Sequence, residues 1–153
     1  MKKAIISGAQ GLVGSAAVKH LSELGWQVIG LDNDSRKKMF GDHASTADTG
    51  RKLMEQYPNF SILDIDIRDL EGIEAVFKEH ADVELIYHCA AQPAHEFATN
   101  NLIADFHINA TGTVYMLYAF KKYCPDAVLP APPATTEFCA DAVLLFPPPT
   151  VAY

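Results

Sequence analysis

The stretch Gly8-Ala9-Gln10-Gly11-Leu12-Val13-Gly14 limits what this chain can fold into more than any other. It joins an apolar run with β-branched character, Lys3-Ala4-Ile5-Ile6-Ser7, to a stretch in which Val13, Ala17, Leu21 and Leu24 recur at helical spacing. Glycines at that junction let the backbone turn sharply and let a bulky anion approach with no Cβ in the way. A helix beginning there turns free N–H groups and the positive end of its dipole toward a phosphate. The expectation is a strand, a phosphate-binding turn and a helix. A glycine triplet alone is a weak signal, so the rest of the chain has to support it.

Length and charge narrow the setting. With 153 residues, 49% hydrophobic and 20% charged, the chain reads as one soluble domain with a sizeable core. A net charge of −7 argues against nucleic acid or an anionic membrane as the main partner. A local nest of N–H groups still accommodates a small anion. Met1-Lys2-Lys3 precedes apolar residues, but Gly8, Gln10, Gly11 and Gly14 interrupt the apolar run a secretory signal needs. Cys89, Cys124 and Cys139 are odd in number and widely spaced, which fits free thiols in a reducing cytoplasm. His20, His43, His80, His88, His95 and His107 show no metal-ligand spacing, so no metal site is expected.

Further along, Leu24-Gly25 reads as a helix stop, and Gln27-Val28-Ile29-Gly30-Leu31 as a second buried strand. It ends at Asp32, 24 residues after the first glycine, where dinucleotide folds place a ribose-binding carboxylate. Such a group accepts hydrogen bonds from ribose hydroxyls and repels a 2′-phosphate, favouring NAD, although Arg36 nearby keeps NADP open. Residues 33–50 read as a long polar loop and 51–57 as a short helix. A third strand spans 60–65 and runs into alternating acids. Asp69 is placed to cap a helix carrying Leu70, Ile73, Val76 and Phe77 on one face. Residues 83–88 read as a fourth strand, followed by the small residues Cys89-Ala90-Ala91. These suit either close strand–helix packing or a flat cofactor against the backbone. From 102 to 123 the pattern is helical, with Phe106, Val114, Leu117 and Phe120 as candidate core contacts and Asn109 and Gly112 as interruptions. The order of elements is that of a doubly wound parallel α/β sheet.

The plan then stops. From Tyr123 to Tyr153 there is no Lys, Arg or Gly, and seven of the nine prolines lie there. Ala127-Val128-Leu129 begins a fifth strand, but Pro130, Pro132 and Pro133 remove the donors a central strand needs. Residues 129–153 therefore read as an irregular proline-rich tail and 1–128 as an incomplete α/β domain.

The glycine run, Asp32, Asp66-Ile67-Arg68-Asp69, the Ala90-Ala91-Gln92 run and Asn109-x-x-Gly112-Thr113 together resemble the extended short-chain dehydrogenase/reductase family. Within it the chain looks like the NAD-dependent nucleotide-sugar epimerases. His88-Cys89-Ala90-Ala91-Gln92-Pro93-Ala94-His95 is most similar to the CDP-tyvelose (CDP-paratose) 2-epimerase branch. The resemblance implies a Rossmann-type fold with NAD held at set positions. Gly8, Gly11 and Gly14, with the backbone of Gln10, Leu12 and Val13, would hold the pyrophosphate. Asp32 and Asn33 would meet the adenosine ribose, and Asp66 and Ile67 the adenine edge. Ala90, Ala91 and Gln92 would line the nicotinamide ribose side, and Asn109 would organise the active-site backbone.

It also implies a hydride taken from a sugar carbon and returned to its other face. A tyrosinate helped by a Ser or Thr and a Lys would move the hydroxyl proton. No Ser/Thr-rich strand end follows Leu129 and no Tyr-x-x-x-Lys follows Lys122, so no catalytic residue is assigned. The expectation is the NAD-binding part of an epimerase, truncated or frame-shifted past about Val128 and not catalytic alone. The alternatives are a non-catalytic dinucleotide-binding or regulatory module, and an inert remnant whose exposed sheet edge leads to self-association.

Overall fold

A computed structural model describes residues 1–92 and 94–130. Cys139, Thr135, Thr136 and the remainder of the proline-rich tail lie outside the described residues, as does Pro93. The first crossover runs from β1 (Lys3–Ser7) through α1 (Leu12–Glu23) to β2 (Gln27–Leu31). Next come α2 (Ser35–Phe40), a 3₁₀ turn (Asp42–Ala44), α3 (Ala47–Gln56) and β3 (Phe60–Leu63). Helix α4 (Leu70–Glu79) and β4 (Leu85–His88) follow. After these lie α5 (His95–Asn100), α6 (Leu102–Phe106), a π turn (His107–Thr111) and α7 (Gly112–Tyr123).

The four strands pair in parallel in the order β3-β2-β1-β4. Because successive side chains of a strand face opposite ways, β1 feeds two cores. Ile5 joins Ile29, Leu31 and Ile86 against Ile73 and Phe77 of α4 and Met116 of α7. Ala4 and Ile6 join Val28 against Val18 and Leu21 of α1 and Leu53 of α3. The result is the expected doubly wound, Rossmann-type α/β layering, with helices on both faces of a parallel sheet.

Several local expectations are corrected. Residues 33–50 are not a loop: α2, the 3₁₀ turn and the start of α3 occupy them. None of the residues of α2 is buried, so no apolar periodicity marks it. In α1 the buried face is Gly14, Val18, Leu21 and Ser22, whereas Val13 and Leu24 are exposed. Gly14 packs directly against the Gly8 carbonyl and Ala9, so the face that includes it, not the one with Val13, is buried. In α7 the buried residues are Gly112, Thr113, Met116 and Ala119, while Phe106 and Val114 face outward. The π turn before α7 shifts the helical phase that the sequence spacing assumed. Strand β3 ends at Leu63 and β4 begins at Leu85, each shorter than expected. Among the described residues the expected fifth strand contributes one parallel bridge, between Leu85 and Val128.

Candidate functional site

The chain adds strands in one direction through β3 and then returns to place β4 on the other side of β1. Above the carboxyl ends of β1 and β4 lies the crevice where open α/β sheets take their ligands. A cavity of ≈ 610 Å³ opens there and extends past the ends of β2 and β3. Gly8 sits at its floor with φ +67°, and a Cβ on it would stand 2.8 Å from the Ala90 nitrogen. A Cβ on Gly14 would collide with the Gly8 carbonyl. The glycines thus let β1, the turn and β4 close on one another. Helix α1 starts at Leu12 with no side-chain cap and no acid in its first turn, so its N-terminal amides face the cavity uncompensated. Leu12 at this helix start is 90% exposed.

Beyond β2, Asp32 Oδ2 accepts from the Gln10 amide at 2.9 Å and Oδ1 from the Asp34 amide at 3.0 Å. These bonds fix the carboxylate at the cavity wall with lone pairs to spare. Asn33 Nδ2 donates to Asp66 Oδ2 at 3.0 Å and ties the end of β2 to the turn after β3. Arg68 closes on Asp66 through Nη2 at 2.6 Å and Nε at 2.9 Å. The Arg68 guanidinium holds the Asp66 carboxyl below its ordinary range against the opposing cost of burial. Asp34, in the left-handed region at φ 49°, does not line the cavity. Burial works against its charge, but hydrogen bonds from Ser45 and Thr46 outweigh that and lower its pKa.

Across the crevice, a buried polar chain backs Ala90 and Ala91. Thr113 Oγ1 donates to the Asn109 carbonyl at 2.6 Å, so it can only accept from His88 Nε2, 3.1 Å away. His88 Nδ1 then accepts from the Ser7 hydroxyl at 2.5 Å, and Ser7 Oγ accepts the Ala90 amide at 3.2 Å. His88 is therefore a neutral Nε2–H tautomer, and burial pushes its pKa down to about 4. Asn109 Oδ1 accepts the Gln92 amide at 2.8 Å. Both side chains stand behind the wall.

Of the residues expected from sequence to meet the cofactor, Gly8, Gly11, Leu12, Val13 and Gly14 line this one cavity, with Asp32 and Asn33 beside them. Asp66, Ile67, Ala90 and Ala91 complete that set. Gln10, Gln92 and Asn109 do not line it; they hold residues that do. Sequence reasoning missed Thr46, Ile65 and Ile108 in the lining, and it left Ser35 without a role. Ser35 opens a helix with no buried residue, and Thr46 precedes α3 in the stretch read as a loop, so no pattern marked them. Arg36 also lines the cavity, with its guanidinium 5.7 Å from the Phe40 ring. Cys89 is half-buried in the lining, and burial raises its thiol to about 11, which makes it unreactive at neutral pH.

One Tyr-x-x-x-Lys spacing does occur, Tyr118 to Lys122 on α7. Neither residue lines the cavity: Lys122 Nζ donates to Glu74 at 2.7 Å and to the Tyr118 hydroxyl at 3.1 Å. The Glu74 hydrogen bond raises the Lys122 pKa and marks a structural pair. Among the described residues no group of His, Cys, Asp or Glu is placed to hold a metal ion, and no helix is long and apolar enough to cross a membrane.

Residues 4–131 match the model of the NAD dependent epimerase/dehydratase family. The chain is 32% identical over 127 residues to UDP-glucuronate 4-epimerase 4 of Arabidopsis thaliana, covering 82% of this chain and 27% of that one. It is 27% identical over 121 residues to CDP-paratose 2-epimerase of Salmonella typhi, covering 79% and 33%. Its fold superposes on UDP-glucose 4-epimerase of Thermus thermophilus, solved in complex with NAD, with a TM-score of 0.63 and 26% identity. That match covers 79% of this chain and 34% of the other. The chain spans about a third of the length of the curated relatives it matches.

Proposed function

The chain belongs to the NAD-dependent epimerase/dehydratase family, and from that premise we propose that residues 1–128 are the NAD-binding part of a nucleotide-sugar epimerase acting on a CDP-sugar. The observation that carries the cofactor reading is one cavity at the switch point, walled by a glycine turn, an uncapped helix start and two fixed carboxylates. The close approach at Gly8 and Gly14 packs the turn against Ala90 and the start of α1, which supports a pyrophosphate site at the helix N-terminus. In this reading Gly8, Gly11 and Gly14, with the amides of Leu12 and Val13, bind the phosphates. Asp32 accepts from the adenosine ribose hydroxyls, with Asn33 beside it, and its charge disfavours a 2′-phosphate. Asp66 and the backbone of Ile67 meet the adenine edge. Ala90 and Ala91 let the nicotinamide ribose lie against the backbone, with Gln92 and Asn109 behind them. NAD, when bound, supplies reversible hydride acceptance from a sugar carbon.

The CDP-sugar assignment rests on the segment from His88 to His95, and the UDP-sugar relatives make the comparison of the two nucleotides the necessary control. The odd number and wide spacing of the cysteines support a cytoplasmic location. A second reading, a dinucleotide-binding module without its own chemistry, is favoured by the placement of Tyr118 and Lys122 away from the cavity.

Calorimetry with NAD and NADP tests the cofactor reading. One saturable site for NAD is expected, with NADP weaker, and Asp32→Ala should weaken NAD by about tenfold. Absence of heat with NAD overturns it. Incubation with CDP- and UDP-hexoses in the presence of NAD is expected to give no epimerised product from this chain; product would rule out the second reading and overturn the expectation that the chain is not catalytic alone.

A further inference from the structure

Resting on the reading that Ala90, Ala91 and Gln92 border the nicotinamide ribose, we propose that Asp105 is a positioning residue for that half of the cofactor. Its carboxylate sets the orientation of two side-chain amides that grip the loop after β4. A single oxygen, Asp105 Oδ1, accepts from Gln92 Nε2 at 2.9 Å and from Asn109 Nδ2 at 3.1 Å. An ionised carboxylate has no proton to give, so both amides must turn their NH₂ groups toward it. Their oxygens are thereby fixed on the other side. There Asn109 Oδ1 receives the N–H of Gln92 at 2.8 Å, and Gln92 Oε1 receives the N–H of Ala94 at 2.6 Å. The same NH₂ groups reach the carbonyls of Gln92, at 3.2 Å, and Ala94, at 3.0 Å. Flipping either amide would set a donor against a backbone N–H and an oxygen against the carboxylate.

Hydrogen bonds to an ionised acceptor are about twice as strong as neutral ones, so the carboxylate decides which way both amides face. Asp105 lies on α6, one turn before Asn109, and it does not line the cavity. It acts through Gln92 and Asn109 on the wall segment that begins at Ala90. The polar chain from Ser7 through His88 to Thr113 holds the same segment from beneath, ending on the Asn109 carbonyl. Asp105 completes that support from the side of the π turn.

The test titrates the full chain with NAD and, separately, with ADP, which engages the glycine turn and the Asp32 side but not the loop after β4. Asp105→Leu, of similar volume with no acceptor, is expected to bind NAD about tenfold more weakly and ADP unchanged. Asp105→Asn keeps a carbonyl oxygen that can accept both N–H groups, and should stay within about twofold of the unaltered chain for both ligands. Unchanged NAD affinity in Asp105→Leu overturns the assignment, as does an equal loss of NAD and ADP, which would mark a merely structural role. Should Asp105→Leu fail to fold, the smaller Asp105→Ala removes the same acceptor. NAD weakened with ADP retained supports the proposal, and NAD retained overturns it. An unaltered chain that binds ADP but not NAD overturns the cofactor reading itself and this assignment with it. Normal NAD binding in both the unaltered chain and Asp105→Leu overturns this assignment alone.

Discussion

A methyl group on residue 8 would stand 2.8 Å from the Ala90 nitrogen while the backbone holds φ at +67°. Gly8→Ala therefore combines left-handed strain with a clash between strand ends, at a cost of about 1–3 kcal/mol. Urea denaturation should show that loss and calorimetry should show no NAD binding; a stable variant that binds NAD normally would refute the close-approach argument. This residue was legible in the sequence because a backbone requirement selects one residue type. His88 was not, because a buried histidine in an apolar strand carries no pattern that announces its partners. Its pKa falls from 6.5 to about 4 on folding, by burial. Above pH 6.5 the ring is neutral folded and unfolded, and its contribution is intact. As pH falls from 6.5 toward 4 the unfolded chain binds the extra proton and stability drops; below 4 both states are charged and the loss ends. The expected decline between pH 7 and pH 5 is about 2 kcal/mol. The depressed carboxyls of Asp34 and Asp66 titrate below that window. Denaturation curves at pH 7, 6 and 5 should show the decline in the unaltered chain and a flatter one in His88→Gln. Parallel pH profiles would count against a proton-excluded ring.

Helices announce themselves when they bury a face, and this chain separates the two cases. Helix α4 buries Ile73, Val76 and Phe77, and its apolar spacing and acidic cap were readable in advance. Asp69 Oδ1 accepts the Gly72 amide at 3.1 Å, as an N-cap should. Asp69→Ala is expected to lower stability by about 1 kcal/mol while leaving NAD affinity unchanged, since the cap lies outside the cavity lining. Thermal melts with and without NAD would check both halves. A loss of affinity at constant stability would place the cap in the site instead. Helices α2 and α5 bury nothing, and neither was expected from sequence. They rest on one another through the Phe40 and Phe97 rings, edge to face at 5.7 Å, a contact between distant residues that periodicity does not encode. The π turn was equally hidden. The Asn109 and Gly112 interruptions marked the place, but Asn109 within the turn also bonds back to Gln92, a contact that spacing does not encode.

For the molecule as a whole, parallel crossovers made the strand order and the crevice inferable, because right-handed connections leave few ways to return to β1. The outer edge of β4 was harder, since a strand followed by prolines reads as no strand at all. Among the described residues a fragment of pairing forms there. The Val128 amide donates to the Glu84 carbonyl at 2.9 Å, and the Val128 carbonyl accepts the Ile86 amide at 2.9 Å. The Val128 side chain is 62% exposed, so its backbone, not its packing, protects this edge. Unpaired strand edges template association with other chains. Val128→Pro removes the donor to Glu84 and should cost about 1–3 kcal/mol. It should also shift the chain toward oligomers as concentration rises. Val128→Thr keeps the backbone bonds and should stay within about 0.5 kcal/mol of the unaltered chain. Sedimentation velocity over a concentration series, paired with denaturation, reads both effects. If Val128→Pro stays monomeric and as stable as Val128→Thr, the bridge does not guard the edge, and the self-association expected of this sheet must use β3 at its opposite side.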